Sequence, residues 1–137
     1  MWLKSLTETQ RDALLGLAHN VVVSDGLLDP NEEDMLVDFK REMALKPDVD
    51  SDYLELDGIG AIFDTRRAQT IAILNLLRLS YVDGAFEIEE ECLLKEVARV
   101  FGIDDEEFMR MDDWVRQLVS LEQDARRLMD APSSKAA

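Results

Sequence analysis

Apolar residues recur along this chain at three- and four-residue spacing, in blocks separated by Gly, Pro and acidic clusters, a pattern that predicts helices throughout. Leu14, Leu15, Leu17, Ala18, Val21 and Val22 form the apolar face of a first helix. It opens at Thr7-Glu-Thr-Gln10, where a threonine and the glutamine three residues on can satisfy each other's orphan amides, and is expected to reach about Asp25, with Gly26 as a left-handed stop. A second helix starts with Asp29 as cap, Pro30 at the first helical position and Glu32 completing a capping box. It carries Met35, Leu36, Phe39 and Met43, and ends before Lys46-Pro47 because the residue ahead of a proline is pushed out of helical geometry.

Residues 46–64, with Pro47, Gly58, Gly60 and repeated aspartates, read as a linker holding one short helix near 53–56. The pattern then predicts a third long helix over about 65–82, apolar on so broad a face (Ile71, Leu74, Leu77, Leu79, Tyr81) that it should be central. A fourth is expected over about 88–101, with Leu93, Leu94, Val97 and Phe101 inward and Gly102 closing it. Asp104 opens a last helix that points Phe108, Met111, Val115, Leu118 and Leu121 at the core and continues toward Leu128, leaving 131–137 as a disordered tail. Nothing alternates with a period of two, so no sheet is expected. The expectation is an all-α bundle of five or more helices forming one domain over residues 1–130.

The charge narrows the function. Asp and Glu number 30 against 15 Lys and Arg, a net charge of −15 that repels nucleic acid and anionic membrane. The basic pairs Arg66-Arg67 and Arg126-Arg127 are isolated among acids and read as solvated helix surface. Cations or a basic protein partner are favoured instead. Cys92 is alone, follows three glutamates that would keep its thiol protonated, and is expected in packing. No apolar run has the length of a signal peptide or a membrane span, so a cytoplasmic protein without membrane insertion is expected. One His, one Cys and no glycine-rich phosphate loop leave little from which to assemble a nucleophile and its base, and no enzyme is expected.

Two stretches match each other. Asp25, Gly26, Asp29, Glu32 and Glu33 fall on Asp83, Gly84, Glu87, Glu90 and Glu91 at an offset of 83 − 25 = 58, with Leu28 and Phe86 as the matching apolar turn residues. Duplication of a helix-turn-helix unit is the economical explanation.

With these two Asp-Gly turns, each followed by a cap and a Glu-Glu pair, the chain resembles the tellurite-resistance TerB-like family from about Leu6 to Phe108. The resemblance implies an all-α fold with pseudo-twofold symmetry and a role in binding or sensing metal ions, or in chemical-stress responses. The family also includes a domain attached to a membrane-bound DnaJ-like co-chaperone, so it does not fix one function. Carried over residue by residue, the implied ion ligands are Asp25, Asp29, Glu32, Glu33, Asp83, Glu87, Glu90 and Glu91. The second copy departs from the pattern by having Glu87 at the cap, where the longer side chain caps poorly.

Hard cations need oxygen ligands, and Ca²⁺ wants six to eight of them, so carboxylates from two hairpins suit Ca²⁺ or Mg²⁺ better than Zn²⁺. The turns are not EF-hands, because glycine directly follows the first aspartate. Helix capping explains Asp29 and Glu32 with no ion present, whereas Glu33, Glu90 and Glu91 exceed what caps require. The alternative is a metal-independent adaptor whose acidic face docks a basic partner. His19 has no second histidine to share a transition metal. Trp2, placed where no core requires it, marks a packing or partner contact.

Overall fold

A computed structural model describes residues 1–24, 29–49, 53–82 and 88–132 of the chain. Among the described residues it is all-helical, in the order α1 (Glu8–Val23), α2 (Pro30–Glu42), α3 (Ile59–Ile62), α4 (Arg66–Tyr81), α5 (Ile88–Val100) and α6 (Asp105–Asp130), after a single 3₁₀ turn at Leu3–Ser5.

The helix starts follow local cap chemistry. Thr7 and Gln10 close a reciprocal capping box on α1, Thr65 accepts the Ala68 N–H on α4, and Asp104 accepts the Glu107 N–H on α6. On α2 the cap is Asp29 taking the Asn31 N–H at 2.7 Å, one residue short of the box expected with Glu32.

Helix α4 is central, packing against α1, α2, α5 and α6. Ala72, Ile73, Leu76, Leu77 and Leu79 on α4 are wholly buried, and they meet Leu14, Leu17 and Ala18 of α1, Leu94 of α5 and Val115 of α6 in one core. Phe63 and Phe101 meet edge-on at 5.4 Å, closing the end of the core beneath α3.

Irregular chain is held by buried amides, as its unpaired backbone groups require. Asn20 on α1 donates to the Leu54 carbonyl at 2.6 Å and accepts the Leu54 N–H at 3.0 Å, which holds Leu54 extended. The short helix expected near 53–56 is therefore displaced to Ile59–Ile62, where Gly58 at φ 85 makes the left-handed step that launches it. Gln10 reaches the Ile62 carbonyl, and Arg11 alone gathers the carbonyls of Lys4, Leu6 and Met43.

Three inward placements are corrected. Leu118, expected in the core, is half-buried outside it. Cys92 is exposed, because it lies about 200° around α5 from buried Leu94 at 100° per residue. Leu121, expected in the core, is 66% exposed, because α6 outruns the bundle and its last buried residue is Val115. Of the tail, Ala131 and Pro132 are exposed and 133–137 lie outside the described residues. Among the described residues no helix is long and apolar enough to cross a membrane.

Candidate functional site: the two helical elbows

The helices of the pairs α1–α2 and α4–α5 have matching bounds at the offset read from the sequence. Both first helices have 16 residues and both second helices 13, and each helix of the second pair begins and ends 58 positions after its counterpart. The caps Thr7 and Thr65 stand at that spacing, as do the Val21 and Leu79 carbonyls that receive the closing amides of Ser24 and Val82.

Glu32 and Glu90 stand in the same relation. Each lies in the first turn after its elbow, and they are 3% and 2% exposed. Full burial of a glutamate is unusual because desolvation penalises the charged form strongly unless donors or cations surround it. Equivalent burial in both hairpins is the feature that distinguishes these two from the other described candidate ligands, Asp29, Glu33 and Glu91. Asp29 is half-buried and occupied with its cap, Glu33 is exposed, and half-buried Glu91 pairs with Lys95 at 3.0 Å. Asp25, Asp83 and Glu87, with Gly26, Leu28, Gly84 and Phe86, lie outside the described residues. Among the described residues no group of three or more Asp, Glu, His or Cys side chains is gathered as an ion would need.

No protein-family model matches this chain, and no curated protein or solved structure is significantly similar to it.

Beside the second elbow lies a polar cluster that periodicity did not reveal. Tyr81, the last residue of α4, donates its hydroxyl to Asp112 Oδ1 on α6 at 2.6 Å, and receives Arg116 Nε at 2.9 Å. Arg116 also pairs with Asp112 Oδ2 at 3.0 Å, closing a triangle of phenol, carboxylate and guanidinium. Burial and the bond to Asp112 push the Tyr81 phenol up to about 12, so it stays protonated and serves as a donor. One turn earlier Arg78 meets Glu122 at 2.7 Å, fixing the same two helices. Tyr81 occupies the position that Val23 holds in the first hairpin, and this departure from the repeat was the available signal. Half-buried His19 sits on α1 and exposed Cys92 on α5.

Proposed function

We propose that this chain is a non-enzymatic, TerB-like binding and sensing module of a chemical-stress response, working in the cytoplasm through its two acidic elbows. The observation that supports this reading is the matched burial of Glu32 and Glu90 behind those elbows.

Carboxylate oxygens are hard donors, so the ion of choice is Ca²⁺ or Mg²⁺ rather than Zn²⁺. The candidate ligands are Glu32 and Glu90 together with Asp25, Asp29, Glu33, Asp83, Glu87 and Glu91. Bound there, the cation would neutralise carboxylates and tie each helix pair at its turn.

Melting curves with millimolar Ca²⁺, Mg²⁺ or Zn²⁺ test the ion. A cation at a hundred times its dissociation constant stabilises a fold by roughly 2.7 kcal/mol, an upward shift that Glu32→Gln and Glu90→Gln should each diminish. An unmoved transition with all three ions ends the ion half of the proposal.

The net charge of −15 favours a second reading, a metal-independent adaptor that docks a basic protein. A complex that weakens with salt and survives chelator would select it.

A further inference from the structure

The 26-residue α6 carries two apolar stripes, and the bundle uses one of them. Phe108 and Val115 are buried and Met111 and Val119 pack against the core. Beside them run Trp114, Leu118, Leu121, Ala125 and Leu128, at spacings of four, three, four and three, the seam of a two-helix coiled coil. Leu121 is 66%, Leu128 78% and Met129 75% exposed, and every residue of 123–130 is exposed. Water should erode such an overhang, since single apolar side chains on a helix with no neighbour gain nothing from ordering.

At its inner end the seam meets a second apolar feature. Trp2, in left-handed backbone at φ 58, lays its ring 6.1 Å from that of Trp114. Together with Ile71 and Leu74 it borders an open groove of about 340 Å³.

We infer that α6 is a dimerisation helix, and that the occupant of its outer stripe is α6 of a second copy of this chain, running antiparallel. Several features select that occupant. The chain carries −15, so two copies repel except where charge vanishes, and 114–130 is neutral, with Arg116, Arg126 and Arg127 balancing Glu122, Asp124 and Asp130.

Antiparallel pairing also matches large to small along the seam: Trp114 faces Ala125 of the second copy while Leu118 faces its Leu121, and the twofold axis repeats both layers. The same direction lays the Arg126-Arg127 end of each helix along the other's acidic half, 105–113, which holds five acids and one arginine. It brings Leu128 and Met129 to the Trp2 groove, and opposes the two helix dipoles.

The surface is adequate for this. The exposed parts of Trp2, Trp114, Leu121, Leu128 and Met129 amount to on the order of 600 Å² per chain, most of the roughly 800 Å² per partner that stable interfaces bury. The interface stands apart from the elbows, so it holds whether or not they bind an ion.

Sedimentation equilibrium of the full chain tests the inference. Wild-type protein should approach twice its 15.6 kDa mass at high micromolar concentration. The double variant Leu121→Glu/Leu128→Glu, altered only at exposed positions, should sediment as a monomer with unchanged far-ultraviolet circular dichroism. Ala125→Trp, which sets two indoles against each other in one layer, should weaken association on the order of tenfold or more. A wild-type chain that stays monomeric through the submillimolar range, or a dimer that survives the double glutamate variant, overturns the proposal.

Discussion

Ala44 and Gly102 occupy the same place in the two hairpins, two residues past α2 and α5, and both take left-handed backbone, at φ 58 and φ 76. The bonds around them match: Ala44 N–H reaches the Arg41 carbonyl and Gly102 N–H that of Arg99, while Leu45 and Ile103 close onto Lys40 and Ala98. This is the usual glycine-type helix stop, and in the first hairpin it is built on a residue whose Cβ opposes it. Ala44→Gly should therefore stabilise the protein by about 0.5–1 kcal/mol in denaturant titration, the relief of left-handed strain exceeding the entropy glycine adds to the unfolded chain. Gly102→Ala should cost about 1 kcal/mol through backbone alone, since a methyl group there would meet no neighbour within 4 Å. Opposite signs at these two positions would be the signature of one stop used twice.

Glu42 links the start of the chain to the end of α2. Its Oε2 accepts the Leu3 N–H at 2.7 Å and its Oε1 lies 3.0 Å from the amine of Met1, which Asn75 also holds. Partial burial raises the carboxyl, but the Leu3 amide and the Met1 amine outweigh burial and hold it below its ordinary 4.5. A depressed folded-state value means stability present above the unfolded value and lost as pH falls through the folded one. Glu42→Gln should accordingly melt lower than wild type at neutral pH. The gap between the two should close in acid below the carboxylate range, and a gap independent of pH would remove the charge from this account.

The Tyr81 clasp makes the opposite kind of prediction. With its phenol raised to about 12 from an ordinary 10.0, the contribution of Tyr81 is complete below 10.0 and lost as pH rises through about 12. Ultraviolet titration should show a phenolate transition at that alkaline position, absent from Tyr81→Phe. Asp112→Asn should move the transition downward, because both the hydrogen bond and the charge of Asp112 favour the protonated phenol. Losing the Tyr81 hydroxyl should cost about 1 kcal/mol, the net worth of one hydrogen bond.

What the sequence disclosed and what it concealed divide along sequence separation. Thr7 with Gln10, Thr65, Pro30, Asp104 and Gly102 fix helix limits through neighbours a few residues away, so those limits were legible from composition and spacing. The same holds for α4, whose wide apolar face put it at the centre. The partners of Arg11, Glu42 and Tyr81 lie up to 41 residues away, and no local signal encodes them. Cys92 lies off the apolar face that Leu94 and Val97 define, and only its residue type and neighbours pointed to packing, whereas Leu121 departs for a related reason. Helical periodicity defines a face, whereas the neighbour that covers the face, and where it ends along α6, is settled by packing of the other helices. At the elbows, Glu32 and Glu90 were legible as ligand candidates by type and repeat, but their burial, which sets them apart from Glu33 and Glu91, is a tertiary property.

Asn20 supplies the last prediction. Its carboxamide replaces a strand neighbour for Leu54, pairing with both the N–H and the carbonyl of one residue from 34 positions away. Substitution by Leu preserves bulk at a buried site but strands two backbone groups, and each unsatisfied group costs about 1–3 kcal/mol where water cannot replace the lost partner. Leu54 is half-buried, so water recovers part of that, and a net loss of about 2 kcal/mol is expected for Asn20→Leu. Hydrogen exchange distinguishes the mechanism from a general loosening of the core. The Leu54 amide should lose its protection in Asn20→Leu, while the amides of α4 slow or quicken only with global stability. Protection retained at Leu54 would mean that the segment over α1 is held by Ile59 and Phe63 rather than by Asn20.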